Sequence, residues 1–236
     1  MALTEKLRNI ADAIRGKTGG TDLLTLDEMA EAIAGIQTGG GEVDHSIEDG
    51  LITQTIAEYY NDRVTEIGGD AFRGNKILRS VSFPNVTKFS GTTIFCDCSA
   101  LVNVSIPKLT TPSGGNDFTN CTALKELRFP LLERSFVAAS CDSLELADLG
   151  NLGYMTTNMF RKCASLSTVI LRRTDRKTGM QNVSCFDGTP FAVGGTGGTV
   201  YVPQALIEEY QQATNWSTLY EAGTCNFVAI EGSEYE

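Results

Sequence analysis

Between residues 64 and 171 the apolar positions return at a fixed spacing of 20 to 23 residues. Each copy reads as Phe, two residues, Cys or Asn, two residues, Leu, two residues, Val or Leu, one residue and a last apolar position, often followed by Pro. Four copies are plain: Phe72, Asn75, Leu78, Val81, Phe83, Pro84; Phe95, Cys98, Leu101, Val104, Ile106, Pro107; Phe118, Cys121, Leu124, Leu127, Phe129, Pro130; and Phe160, Cys163, Leu166, Val169, Leu171. A fifth has Ala138, Cys141, Leu144, Ala147 and Leu149 in those positions, with Gly150 for the Pro, and is expected to be irregular. A period of this length means one small structural unit stacked on copies of itself, each too small to bury its own apolar face.

Within each copy the stretches LRSVSF, LVNVSI, LKELRF, LELADL and LSTVIL predict a short strand. Side chains alternate along a strand, so the apolar positions face the stacked core and the others face out. In chain order the outward positions are Arg79, Ser80, Ser82; Val102, Asn103, Ser105; Lys125, Glu126, Arg128; Glu145, Leu146, Asp148; and Ser167, Thr168, Ile170. Strands about 4.8 Å apart would bring Glu126, Arg128, Glu145 and Asp148 into one charged patch. A second apolar group opens the turns: Val64 with Ile67, Val86 with Phe89, then Leu109, Leu132 and Leu152.

The flanks follow other rules. In the first 36 residues Leu3, Leu7, Ile10, Ala11 and Ile14 fall at helical spacing until Gly16, and Thr25 with Glu28 forms a capping box ahead of Met29, Ile33 and Ile36. Two helices this short do not persist alone, so their apolar faces need each other, sister chains or a partner. Thr38-Gly39-Gly40-Gly41 and the acidic run after it read as a linker. LITQTIAEYY, from Leu51, reads as an opening strand or cap. After Leu171 comes a basic, turn-rich loop with Arg172, Arg173, Arg176 and Lys177, then a strand over Thr199–Val202 and a helix with Leu206, Ile207 and Tyr210 on one face. With Trp216, Leu219 and Tyr220 behind it, that helix suits the end of a stacked core, which would otherwise be exposed. The expected division is a two-helix attachment or oligomerisation segment over 1–37, a Gly-rich acidic linker over 38–50, a repeat solenoid over 51–173 and a strand-helix cap over 174–236.

The repeat resembles the BspA-type leucine-rich repeat family: IGGDAFRGNKILRSVSFP at 67–84 is a near match to a pattern of the kind IGxxAFxGCxxLxxVxIP. The block at 186–221, FDGTPFAVGGTGGTVYVPQALIEEYQQATNWSTLYE, is similar to a terminal cap that recurs in such proteins from Firmicutes and their phages. LRNIADAIRGKTGGTDLLTLDEMAEAIAGI at 7–36 is similar to a leader on tail and fibre-like proteins of those phages. The resemblance implies a mainly β, short leucine-rich-repeat solenoid with an N-terminal helical segment. It also implies attachment to other virion proteins and homo-oligomers, trimers by analogy.

Charge and chemistry narrow the function. The net charge is −10, with 4 basic and 12 acidic side chains in residues 1–62 and 6 acidic and no basic ones in residues 205–236. Acidic ends argue against nucleic acid, whose phosphates need a basic face. The start, MALTEKLRNIADAIR, has charges where a Sec signal needs apolar residues, and no stretch approaches a membrane span. Seven cysteines, four of them (Cys98, Cys121, Cys141, Cys163) in one repeat position, read as buried thiols and not as a disulfide framework. Only Cys96 and Cys98 are close in sequence, which is not zinc-ligand spacing. The single histidine, His45, lies in the linker and removes most routes to a Ser-His or Cys-His nucleophile. Gly16-Lys17-Thr18 lacks the strand and first Gly of a phosphate loop.

The sequence therefore predicts no enzyme, no cofactor and no metal. It points to a phage virion protein of tail-fibre or receptor-binding type, attached through Leu7, Ile10, Ile14, Met29, Ile33 and Ile36. Its recognition surface for a host glycan or protein would be the outward positions Arg79, Ser80, Ser82, Asn103, Ser105, Lys125, Glu126, Arg128, Glu145, Asp148 and Thr168, with Arg172, Arg173 and Arg176 offering a basic patch for an acidic glycan. A bacterial surface or secreted adhesion module and a purely structural decoration protein are the alternatives. Glycan hydrolysis would require paired carboxylates in a cleft.

Overall fold

A computed structural model describes residues 42–44 and 56–236, all within one compact unit spanning Gly41–Glu236. The expected N-terminal helices and His45 lie outside the described residues. Short strands, all paired in parallel, make two ladders that run along a stacked core. The first begins with β2 (Glu58–Tyr60), β4 (Ser80–Ser82) and β6 (Asn103–Ser105). It resumes with β7 (Glu126–Arg128), β8 (Leu146–Asp148), β10 (Thr168–Ile170), β12 (Gly198–Val202) and β13 (Cys225–Ala229). The second ladder holds β1 (Glu42–Asp44), β3 (Val64–Ile67) and β5 (Lys88–Phe89), continues through a bridge from Lys88 to Thr111, and ends with β9 (Tyr154–Met155) and β11 (Gly179–Met180). β1 falls inside the stretch read as linker; it pairs with β3 and so lengthens the second ladder by one strand.

The bends between the ladders follow from two recurring groups. Stacked phenyl rings run from Phe72 to Phe95 (5.2 Å) and from Phe95 to Phe118 (5.3 Å), and again from Phe160 to Phe186 (6.1 Å). The expected irregularity at Ala138 is repaired: Phe136, two residues earlier, inserts its ring edge-on between Phe118 and Phe160, and the backbone bond from Ala138 N to Met159 O keeps the turn in step. The thiols of Cys98, Cys121, Cys141 and Cys163 each donate to a carbonyl one turn back, at Phe72, Phe95, Phe118 and Ala138, over 2.9–3.1 Å. The small polarisable thiol thus gives a buried carbonyl a second donor; at Phe72, Phe95 and Phe118 the first is the backbone N–H of Asn75, Cys98 and Cys121. All seven cysteines are free and buried. Burial pushes the Cys98 and Cys225 thiols up to about 12, so both stay protonated and unreactive.

The far end closes as the apolar pattern demands. After β12, a 3-10 turn (Gln204–Leu206) leads into α1 (Ile207–Gln212) and α2 (Trp216–Glu221), then β13 pairs with β12. Trp216 donates to Thr178 O (2.8 Å), and Thr178 N donates to the Tyr210 hydroxyl (2.7 Å); both rings pack on Phe227. Trp216, Tyr210 and Leu219 are fully buried, whereas Tyr220, expected with them, is 41% exposed. Among the described residues no helix is long and apolar enough to cross a membrane.

Candidate functional site

The outward rows of the first ladder can be read directly from strand register. One row runs Glu58, Ser80, Asn103 and then Glu126, Leu146, Thr168, Thr199; the other runs Tyr60, Ser82, Ser105 and then Arg128, Asp148, Ile170, Tyr201. Hydrogen-bonded pairing stops between β6 and β7, so the face is split in two. The split opens a shallow trough of about 150 Å³ lined by Ser80, Ser82, Asn103, Ser105, Glu126 and Arg128. Val104 shows its consequence: it is only half-buried, while its counterparts Val81, Leu127, Ala147 and Val169 are buried. Six of the residues expected to share a surface do so. Arg79, Lys125 and Glu145 stand exposed beside the strands and Thr168 is half-buried, none of them lining the trough.

Two expectations fail for one physical reason: the chain covers part of its own face. Leu146 and Ile170 form a second small apolar cluster with Ile230, flanked by Tyr201 and Tyr235, whose rings meet edge-on at 4.7 Å. The chain beyond β13 therefore lies on the outer face of β8, β10 and β12. Asp148 is 4% exposed and does not join a four-residue charged patch. Its carboxylate takes a two-pronged bond from Arg172, Nε to Oδ1 at 3.0 Å and Nη2 to Oδ2 at 2.8 Å. Glu126 pairs instead with Arg128 on its own strand, at 2.9 Å.

The basic loop is likewise not a free basic patch. Besides Arg172, Arg173 forms a fork with Asp175 (2.6 and 3.0 Å), Arg176 lies 3.8 Å from the same carboxylate, and Lys177 binds Glu209 at 2.8 Å. The Arg173 guanidinium holds the Asp175 carboxyl below its usual range. All four basic groups of this loop are committed to acids of the same chain.

Two features escaped the sequence reading. Tyr60, 64% exposed, sits beside Ser82 in the outward row and supplies an aromatic wall next to the polar grid. The other is Asp117. The position just before the Phe position of the repeat is Ala71, Ile94, Asp117, Val137, Met159 and Cys185 in successive turns, and Asp117 alone is charged. It is fully buried, and burial pushes its carboxyl up to about 7, although the Ser113 hydroxyl and the amides of Ile94 and Thr93 favour the charged form. Reading the repeat one position before the Phe would have found it.

These geometries define the class: a parallel-stranded solenoid of leucine-rich repeats with its own terminal cap. More particularly, residues 55–167 match the family described as BspA type leucine rich repeat region, in six copies, and this part of the chain is such a region. Among solved structures, the chain is similar to a leucine rich repeat protein of T. pallidum (19% identity, TM-score 0.47, 73% of this chain and 86% of that one). It is similar also to a leucine rich cell surface protein of Faecalibacterium prausnitzii (18% identity, TM-score 0.40, 70% and 59%) and a leucine-rich repeat protein of Eubacterium ventriosum (18% identity, TM-score 0.44, 57% and 43%). It thus spans 59% and 43% of the latter two chains. No curated protein matches the chain.

Proposed function

We propose that the protein is a recognition module, not an enzyme, and that the trough between β6 and β7 is its contact surface on a partner. The observation that carries this reading is the split ladder. It gathers four small neutral hydrogen-bonding side chains (Ser80, Ser82, Asn103, Ser105) beside an ion pair already satisfied within the protein, Glu126 with Arg128. Such a surface loses little on desolvation and can both donate and accept. Its carboxylates offer no hydrolytic pair, because Glu126 is tied to Arg128 and Asp148 is buried under Arg172.

The module acts as a phage virion protein of tail-fibre or receptor-binding type. Support comes from the likeness of residues 7–36 to a leader on tail and fibre-like proteins of Firmicutes phages; the cap at 186–221 resembles one that recurs in proteins of Firmicutes and of their phages alike. Residues 1–37 would attach it to other virion proteins or join its copies, trimers by analogy, and repeated copies would add weak contacts through avidity. The repeat family itself favours a second reading, an adhesion module on a bacterial surface.

One experiment tests the surface and another the attachment. Ser82→Trp with Ser105→Trp fills the trough at outward positions and should abolish binding of the labelled protein to Gram-positive cells while thermal unfolding is unchanged; undiminished binding would remove the trough from the site. Replacing residues 1–37 by a soluble tag should leave the solenoid folded and eliminate incorporation into phage particles, and normal incorporation would refute attachment through that segment.

A further inference from the structure

Two hollows lie along the second ladder, away from the trough. Two adjoining clefts of about 290 and 550 Å³ share Glu133 and Arg134. The first falls just short of the size range of small-molecule sites and the second lies within it.

Four observations make this more than a concavity. Tyr154 is 49% exposed, yet its ring is held in place: it lies across Gly179 on the paired strand, where a Cβ would come within 2.4 Å of ring carbon Cδ2. Only glycine at 179 lets the ring lie there, and the ring still lines the cleft. Glu133 and Arg134 stand next to each other on the cleft wall, exposed, and neither forms an ion pair among the described residues. The basic side chains of the neighbouring loop are paired, whereas this guanidinium and carboxylate are open to the cleft. Third, hydroxyls at the cleft are fixed from beneath. Ser113 Oγ donates to the buried Asp117 carboxyl (3.0 Å) and accepts from Gly115 N (3.3 Å), which leaves one lone pair for the cleft, and Ser135 Oγ lies 2.9 Å from Thr156 Oγ1. Fourth, the wall charges cancel: Glu133 against Arg134, and the Arg173–Asp175 fork against itself.

We propose that this cleft is a binding site for a neutral saccharide, with Tyr154 as the stacking platform and Glu133 and Arg134 as the orienting pair. The C–H face of a pyranose carries small positive charges that suit the negative face of an aromatic ring. Its neighbouring hydroxyls donate to a carboxylate and accept from a guanidinium, which a flat fork can do in two places at once. An ionic ligand gains no net attraction from a wall of zero charge, whereas a polyhydroxyl ligand uses both signs. The site is independent of the trough, so either assignment can fail without the other.

The test is titration calorimetry of the intact chain with five probes: maltotetraose, cellotetraose and N-acetylchitotetraose as neutral ligands, tetragalacturonate and chitosan tetramer as charged ones. At least one neutral probe should saturate with a Kd below about 1 mM and bind at least fivefold more tightly than either charged probe. Tyr154→Ala and Arg134→Ala should each weaken it tenfold or more, while Tyr154→Phe and the trough variant Ser82→Trp should not. Arg134 is exposed and unpaired, so Arg134→Ala keeps the test informative even if Tyr154→Ala unfolds. Absence of binding by all neutral probes, preference for a charged probe, or binding that survives Arg134→Ala would each overturn the proposal.

Discussion

Asp117 makes the solenoid's stability depend on pH in the direction opposite to that of an ordinary surface carboxylate. Its carboxyl is pushed up to about 7 in the folded protein from the usual 3.8. Between these values the unfolded chain has lost the proton and the folded chain keeps it. Stability is therefore fully present below pH 4 and falls as pH rises, by about 1.4 kcal/mol per unit, until the folded carboxyl also ionises near pH 7. The full shift corresponds to about 4 kcal/mol lost between pH 4 and pH 8. Asp117→Asn keeps the shape and an acceptor for Ser113 but cannot ionise. It should leave stability near pH 4.5 within about 1 kcal/mol of the parent and raise it by about 3–4 kcal/mol at pH 8. Urea unfolding followed by circular dichroism, at half-unit steps from pH 4.5 to 8.5, reads the difference directly. Other groups titrate in both proteins and cancel. A parent-minus-variant difference that stays flat across that range would show that Asp117 is ionised in the folded state and that the argument from burial is wrong.

Three further substitutions probe the stacked core and its edges. Phe136→Ala removes the ring that bridges the gap left by Ala138 and should cost about 3–5 kcal/mol in urea unfolding, as for other buried Phe; a loss under 1 kcal/mol would mean the ladder does not need it. Lys162 has φ of +63° at the position where Gly74 and Gly188 occur in other turns, and Lys162→Gly should stabilise by about 0.5–1 kcal/mol, seen as a higher melting temperature. Arg172→Ala strands the Asp148 carboxylate and should cost about 2–3 kcal/mol, with more than half regained in the double variant Arg172→Ala, Asp148→Asn; strictly additive effects would show no coupling.

Which parts of this architecture were legible in the sequence follows from what the repeat encodes. Inward positions answer to one requirement, burial against the same neighbours one turn away, so Leu78, Leu101, Leu124, Leu144 and Leu166 declare themselves. The strand face was legible as far as alternation reaches: Ser80, Ser82, Asn103, Ser105, Glu126 and Arg128 do converge. Alternation says nothing of what lies above a face. Leu146 and Ile170 occupy outward positions and are buried because the chain after β13 returns over them, a contact between residues 60 to 90 positions apart with no periodic trace. The pairing of Arg172, Arg173 and Lys177 with Asp148, Asp175 and Glu209 was hidden for the same reason. A repair such as Phe136 for Ala138 is harder still, since it moves the ring two residues out of register while the space it fills stays where it was.

In a repeat protein the positions that break register separate folding from function more sharply than exposure does. Some breaks are repairs, and these can be recognised because they restore the packing of their neighbours, as Phe136 does. Others worsen packing locally: Asp117 puts a carboxyl where five other turns place Ala, Ile, Val, Met or Cys. An acid there costs stability above pH 4 and returns none through the core. What it does provide is a fixed partner for Ser113 at the mouth of the cleft that also contains Tyr154 and Arg134. If the cleft is a binding site, Asp117→Asn should keep the binding of a neutral saccharide within about threefold, because Asn still orients Ser113, while Asp117→Val, which restores the pattern of the repeat, should stabilise the fold and weaken binding. A valine variant that gains stability and binds as tightly as the parent would make Asp117 an accident of the repeat and detach it from the site.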